Sequence, residues 1–388
     1  MNQAHTLSSS RPQVPDNKAS VNKASTNIDS PPHQNIKPGA RRFCVAPMLD
    51  RTDRFCRYFF RQISREAFLY TEMITTGAIL HGDQDRHLSF DEAEHPVAVQ
   101  LGGSNPEDLA RSARIAENYG YAEVNLNCGC PSDRVQAGRF GACMMKEPDL
   151  VADGVKAMRD AVSVPVTVKC RIGVDDSEHY DFVRDFIGTV TDAGCDTFII
   201  HARKAWLKGL SPKQNREVPP LDYPLVYRLK QDFPELEIII NGGITTLAQA
   251  SEHLQHVDGV MLGREVCQNP WMLAGVDKQF YSAQQTDLQT NLNANYDIQD
   301  TPDTQNTQVA LTRDAVVEVM LSYAEAELSR GARLQHIIRP MLNLYQGQPN
   351  GRRFRRYLSE NAHKADAGVG VLAAALETIQ PAAISAEA

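Results

Sequence analysis

An alternating strand pattern, Ala122-Glu123-Val124-Asn125-Leu126, runs straight into the turn Asn127-Cys128-Gly129-Cys130-Pro131. Gly129 and Pro131 compel a sharp exit, so the Cys130 thiol is presented at the C-terminal end of a strand. A thiol there can be a nucleophile, a metal ligand or a general acid. The nucleophile needs a base beside it, and no residue in the sequence is assigned that part. Cys128, Cys130 and Cys143 do not make a zinc spacing, and no metal site is expected. An ordinary thiol is a serviceable proton donor near neutral pH. The plain alternative is a small buried hydrophobe, the usual fate of a free cysteine.

Other strand ends carry polar groups of matching interest. Lys169 and His201 close two further strand patterns, and Gln100 lies near the end of a third. A lysine inside the mouth of a barrel is costly unless it faces an anion. His201 reads equally as a hydrogen-bonded structural residue or as a ligand or proton-transfer group. Asn241-Gly242-Gly243-Ile244 and Gly263-Arg264 supply unhindered backbone N–H groups beside a guanidinium, the parts of a phosphate site. Gly368-Val369-Gly370-Val371-Leu372-Ala373 matches a dinucleotide fingerprint by letters, but no strand precedes it; it reads as a helix start.

Elements that could hold these groups together recur along the chain. Eight short β-branched runs begin at Phe43, Leu69, Pro96, Ala122, Pro165, Thr197, Glu237 and Gly259, separated by stretches with helical spacing. Eight βα units predict an α/β fold, a (β/α)8 TIM barrel over residues 42–280, with its active site among the residues that end the strands.

The chain has 388 residues, 42% hydrophobic and 23% charged, enough for a barrel and a smaller second domain. Residues 1–41 are rich in Ser, Asn, Gln, Pro and Lys without periodicity and read as a disordered tail. Residues 281–311, dominated by Gln, Asn, Asp and Thr, read as a linker. Over 312–388, Thr312 caps a helix bearing Val316, Met320, Tyr323 and Leu328 and stopped by Gly331; further helical patterns span 334–345, 354–361 and 371–379. That region is expected to be a helical bundle. No run is apolar enough to span a bilayer, and unpaired cysteines suit a reducing cytoplasm, where the protein is expected.

The net charge of −8 argues against indiscriminate nucleic-acid binding, yet two segments are basic. Residues 328–364 hold Arg330, Arg333, Arg339, Arg352, Arg353, Arg355, Arg356 and Lys364 against Glu360 alone. Residues 203–216 hold Arg203, Lys204, Lys208, Lys213 and Arg216 with no acid, around Trp206. Clustered cations with an interleaved aromatic point to a polyanion with unpaired bases, whereas solvated basic faces are the simpler reading.

Taken together, Ala46-Pro47-Met48-Leu49-Asp50-Arg51-Thr52-Asp53, Asn127-Cys128-Gly129-Cys130-Pro131-Ser132, Lys169-Cys170-Arg171-Ile172-Gly173, His201-Ala202-Arg203, Asn241-Gly242-Gly243-Ile244 and Leu262-Gly263-Arg264 resemble the tRNA-dihydrouridine synthases. The segments 201–213 and 355–361 are similar to those of bacterial subfamily A, which modifies U20 and U20a of the D-loop. The resemblance implies FMN on the barrel mouth, reduced by NADPH, with hydride passing to C6 of a tRNA uridine while a cysteine protonates C5. Cys130 matches the proton donor. Pro47, Met48 and Leu49 match positions under the flavin ring, Gln100 and Lys169 its polar edge, and His201, Asn241, Gly242, Gly243, Gly263 and Arg264 the remaining flavin and phosphate contacts. Asn127, Lys213, Arg216, Arg352 and Arg355 match tRNA-contacting positions. No stable protein partner is implied. A flavoenzyme of the dihydroorotate dehydrogenase type, acting on a free pyrimidine, shares barrel and FMN but needs no basic helical domain; a non-catalytic RNA-binding barrel would need no flavin.

Overall fold

The computed structural model describes residues 36–177, 179–282 and 311–379. Residues 1–35 of the expected tail and 283–310 of the expected linker lie outside the described residues. Residues 36–41 and 281–282, expected to belong to the tail and the linker, are instead part of the barrel: Arg41 and Tyr281 are both buried in it.

Eight parallel strands close into a barrel, each bonded to the next in sequence and the eighth to the first. They are β1 Phe43–Val45, β2 Phe68–Thr75, β3 Val97–Gly102, β4 Glu123–Cys128, β5 Val166–Arg171, β6 Thr197–His201, β7 Glu237–Asn241 and β8 Gly259–Leu262. The crossovers are helical where the sequence supplies start signals. Asn105 accepts from Asp108 N at 3.0 Å ahead of Pro106–Asn118, which opens on its proline. Asp222 likewise accepts from Leu225 N at 3.0 Å ahead of Tyr223–Asp232. Alternate residues of each strand face these helices; on β4 they are Val124, Leu126 and Cys128, all buried in the outer core.

The inward residues divide the barrel lengthwise. Phe68, Ala98, Ile199, Ile239 and Met261 make an apolar filling on one side. Against it stands a polar wall: Glu123, Asn125 and Asn127 on β4, and Thr167, Lys169 and Arg171 on β5. Register sets Asn125 beside Thr167 and Asn127 beside Lys169. Below this wall Arg41 plugs the floor, its Nε donating to Glu123 Oε2 at 2.6 Å and its Nη1 to Glu237 Oε2 at 2.7 Å. The floor closes around a glycine: a Cβ on Gly259 would lie 2.3 Å from the Arg41 carbonyl oxygen. Tyr281 ties the end of the barrel to its beginning, accepting from Phe43 N at 2.9 Å and donating to Ala40 O at 3.0 Å.

β1 stops at Val45, because Arg51 N and Thr52 N both turn back onto Met48 O at 3.0 Å and the Thr52 hydroxyl accepts from Met48 N at 3.0 Å. One strand end differs from the sequence expectation. β5 continues two residues past Lys169 to Arg171, so Lys169 lies within the strand and Arg171 is at its end.

Beyond the barrel lie the helices Arg313–Ser329, Leu334–Ile338, Gly351–Asn361 and Val369–Glu377. The Thr312 hydroxyl accepts from Ala315 N at 3.1 Å, and Gly331 takes φ +90° past the first helix, as its stop requires. The helical run expected through residue 345 breaks into Leu334–Ile338 and a tighter 3-10 turn Arg339–Asn343, since Pro340 has no N–H with which to continue the helix. Gly368 caps the last helix, so the fingerprint-like letters do open a helix.

This helical region packs on the barrel helix Arg54–Ile63. Tyr323 stacks on Tyr58 with ring centroids 3.7 Å apart and meets Phe55 edge-on at 6.4 Å. Arg54 forms an ion pair with the buried carboxylate of Glu327, and Arg339 pairs with Asp53 at 2.6 Å. Asn343 Nδ2 donates to Cys267 O at 3.1 Å, and the Arg313 guanidinium lies 4.4 Å from the centre of the Trp271 ring. Among the described residues no helix is long and apolar enough to cross a membrane. Replacing the buried Tyr323 by alanine removes both ring contacts at once, and we expect a loss of about 3 kcal/mol in urea denaturation. A midpoint unchanged from wild type would show that the helical region does not depend on this stack.

Candidate active site at the barrel mouth

The Cys130 turn is held by its own strand. Asn127 Oδ1 accepts from Gly129 N at 3.1 Å and Cys130 N at 3.0 Å, while its Nδ2 donates to Gln100 Oε1 at 2.8 Å. The turn's far side is anchored by Ala142 N, which donates to Cys130 O at 2.9 Å. That approach demands Gly141, at φ +80°, where a Cβ would come 2.6 Å from the same carbonyl oxygen. Cys130 itself is half-buried, its Sγ 3.6 Å from the Ser132 hydroxyl. Asn127 sits just below it, nearly buried.

Arg171, which sequence reasoning did not single out, binds this turn to its neighbours. Its Nε donates to Gly129 O at 2.9 Å, and its Nη1 to Lys204 O at 3.1 Å and Asn215 O at 2.9 Å. The signal was present as Lys169-x-Arg171, a two-residue spacing that puts both cations on one strand face. Asn215, also missed, is fully buried and organises the basic segment: its Oδ1 accepts from Trp206 N at 2.7 Å and its Nδ2 donates to Trp206 O at 2.9 Å. Gln136 adds a second tie, donating to Pro131 O at 2.9 Å and Leu207 O at 2.7 Å. The cysteine turn and the 203–216 loop are therefore one assembly.

Lys169 Nζ donates to Asn241 Oδ1 at 3.0 Å, and Asn241 Nδ2 donates to Met261 O at 2.7 Å. Burial, then Arg171, pushes the Lys169 ammonium down to about 8. His201, paired in register with Arg171 on one side and Asn241 on the other, is pushed well below the ordinary histidine range by burial and by Arg171, Lys169, Arg203 and Arg216. It is a neutral imidazole at pH 7, and its buried Nδ1 has no partner in the protein. Gly242 and Gly243 both have positive φ, and a Cβ at Gly242 would lie 3.1 Å from His201 Nε2.

On the opposite side of the mouth, Pro47 and Met48 are half-buried while Leu49 is 65% exposed. A Cβ on Gly263 would touch Met48 Sδ at 3.5 Å, so the first and last strands present this loop together. Arg264 donates to Glu217 Oε1 at 2.6 Å and to Arg216 O at 3.3 Å; an anion reaching it competes with Glu217.

The mouth is strongly electropositive. Arg171 is lowered to about 10 by burial and by Arg216 and Arg203; Arg203 is lowered by burial and Arg264, and Arg216 by burial, Arg264 and Arg51. Such mutual repulsion in a poorly hydrated site is relieved by a bound anion. A flat anionic ligand between the Met48 loop and the Lys169–His201 side meets cations, an unpartnered imidazole nitrogen and a half-buried thiol.

The expected RNA-facing residues fall into two groups. Arg216 lies at the mouth beside Arg264, and Lys213 is exposed one turn earlier. Arg352 and Arg355 are exposed on Gly351–Asn361, three residues apart and so on one face. Arg355 Nη1 donates to Asn343 Oδ1 at 3.3 Å, and Asn343 is the residue that reaches Cys267 O on the barrel. Arg356 instead pairs with Glu360 of its own helix at 3.5 Å.

A family model described as dihydrouridine synthase (Dus) matches residues 44–384. A tRNA-dihydrouridine(20/20a) synthase of Salmonella typhi is 58% identical over 350 residues, 90% of this chain and 98% of that protein. One from Escherichia coli K12 is 58% identical over 339 residues, 87% of this chain and 91% of that protein. One from Shewanella oneidensis is 56% identical over 340 residues, 88% of this chain and 94% of that protein. With a strand-end cysteine, a lysine and an unpartnered histidine around one cationic barrel mouth, and with a match that runs through barrel and helical region alike, the chain belongs to the dihydrouridine synthase family.

Proposed function

We propose that this protein reduces the 5,6-double bond of uridine in tRNA, at U20 and U20a of the D-loop, with FMN as its cofactor, NADPH as reductant and the cytoplasm as its place of work. The observation that carries the reading is the placing of the Cys130 thiol beside an electropositive mouth that the basic helical region adjoins. The residues fit the cofactor: the His201 Nδ1 atom lacks a protein partner and Lys169 faces the mouth as a cation. Bound and reduced, FMN supplies a hydride to C6 of the uracil ring.

The protein's own residues supply the rest. Cys130 delivers a proton to C5, and Asn127 fixes the turn from which it does so. Pro47, Met48 and Leu49 cover one face of the flavin ring, with Gln100 and Lys169 on its polar edge. Asn241, Gly242, Gly243, Gly263 and Arg264 take the ring's remaining contacts and the phosphate. Lys213, Arg216, Arg352 and Arg355 hold the tRNA backbone, their contacts offsetting the cost of flipping the uridine out of its stack. The chemistry thus stays in the barrel, while the grip on the RNA is shared between its 203–216 loop and the helices after residue 311. An enzyme of free pyrimidines is not favoured, because it has no use for the cations on the helix Gly351–Asn361.

Cys130→Ala should keep its flavin and oxidise NADPH, yet form dihydrouridine about 10² to 10⁴ times more slowly, read by mass spectrometry of digested tRNA. Turnover near that of wild type would make Cys130 structural.

Flavin retention should depend on pH through Lys169. Its folded value, about 8, is below the ordinary lysine value of 10.5, so the flavin-free fold prefers the neutral amine and gains stability as pH rises through that window. An anionic ligand prefers the ammonium. Binding therefore takes up a proton above about pH 8, and affinity should fall by up to about tenfold per pH unit between there and pH 10. Lys169→Met should flatten this slope in a fluorescence titration; an unchanged slope assigns the titration elsewhere.

Combined alanine replacement of Lys213, Arg216, Arg352 and Arg355 should weaken tRNA binding and make its salt dependence shallower, by about 0.7 to 0.9 in slope for each phosphate contact removed. Equal slopes would mean that these charges are only a solvated face.

A further inference from the structure

A single file of buried side chains leads from the barrel floor to the cysteine turn. Glu123 Oε1 accepts from the Thr167 hydroxyl at 2.6 Å, and Thr167 Oγ1 accepts from Asn125 Nδ2 at 2.8 Å. Asn125 Oδ1 accepts from Gln100 Nε2 at 2.8 Å, and Gln100 Oε1 accepts from Asn127 Nδ2 at 2.8 Å. Asn127 Oδ1 then takes the backbone N–H groups of Gly129 and Cys130. No member of the file is more than 9% exposed. Arg41 and Tyr70 hold the lower end, donating to Glu123 at 2.6 and 2.9 Å.

The file has one permitted direction. A carboxylate paired with a guanidinium only accepts, so Thr167 must spend its proton on Glu123 and accept from above. That turns the Asn125 oxygen towards Gln100, and the Gln100 oxygen towards Asn127. Backbone N–H groups only donate, so the upper end independently demands the Asn127 oxygen. Both ends agree, and reversing any one amide would set two donors or two acceptors face to face.

We propose that Glu123, acting through Thr167 and Asn125, is a positioning residue for the reaction: the carboxylate at the floor sets the direction of the Gln100 and Asn127 amides, and through them the placing of the Cys130 thiol. The inference rests on the reading of Cys130 as the proton donor. Glu123 and Thr167 touch neither substrate nor cofactor; they work along about the length of the strand, in a network whose members polarise and orient one another.

Thr167→Val cuts the file while keeping side-chain shape and the Arg41–Glu123 ion pair, and Thr167→Ser restores the hydroxyl. Tyr70→Phe removes a donor to Glu123 but leaves the file intact, and so reports the stability effect alone. In flavin-free protein, the rate of Cys130 alkylation by iodoacetamide, followed on its peptide by mass spectrometry, should change at least threefold in Thr167→Val and stay within twofold of wild type in Thr167→Ser and Tyr70→Phe. In flavin-loaded protein, single-turnover formation of dihydrouridine should fall about tenfold in Thr167→Val, with tRNA affinity unchanged, and recover in Thr167→Ser. Equal alkylation and turnover in all three variants, with only melting temperatures altered, would overturn the proposal. A wild-type protein that makes no dihydrouridine would overturn the proposed function, while the alkylation contrast would still support the file.

Discussion

Burial of charge inside the barrel is the constraint on which the rest of this structure depends. Arg41 is almost wholly buried and faces two carboxylates, Glu123 and Glu237. Burial opposes its charge, but the two acids outweigh that and raise its pKa. Glu237 is shifted upward by burial, with repulsion from Glu123 adding to the shift and Arg41 opposing it. Such groups are strongly destabilising when left unpaired and add little when paired, so their value lies in specifying one arrangement. Here the arrangement reaches beyond the floor. Once Glu123 is committed, the polar wall of β4 and β5 has to find its partners within the barrel, and it finds them in order up to the mouth.

At the mouth the balance is reversed. The floor carries two acids for one cation, whereas Lys169, Arg171, Arg203, Arg216 and Arg264 converge and, among the described residues, only Glu217 pairs with one of them. The protein holds these cations in place with backbone carbonyls: Arg171 on three, Arg264 on one and Arg203 on Pro219 O. Carbonyls fix a guanidinium without neutralising it. The site is thereby preorganised for anions, and the reorganisation energy is spent during folding rather than during binding.

Much of the fold was legible because it is local. The strands announced themselves by their short apolar runs, and two helix starts by a proline at Pro106 and a capping hydroxyl at Thr312. Strand ends were less so: the β-branched run stops before Lys169, but in a barrel the uppermost inward layer is polar and the strand runs on to Arg171. Cys130, Lys169 and His201 stood out by residue type. Glu123, Asn125 and Thr167 did not, although Glu123-x-Asn125-x-Asn127 alternates strictly, because the sequence does not say which face of a strand looks inward. Their meaning comes from partners far away, Arg41 from Glu123 by 82 positions and Asn125 from Thr167 by 42.

The two tryptophans of the chain stand at the two places where the molecule must respond to its surroundings. Trp206, in the basic loop, lies with its ring centre 4.4 Å from the Lys204 ammonium; Trp271 lies under Arg313, at the seam between barrel and helices. An indole's emission shifts with the charge over its face. The protein therefore carries two built-in optical probes, one for what approaches the mouth and one for whether the seam is closed, and a single Trp→Phe exchange in either position separates their signals.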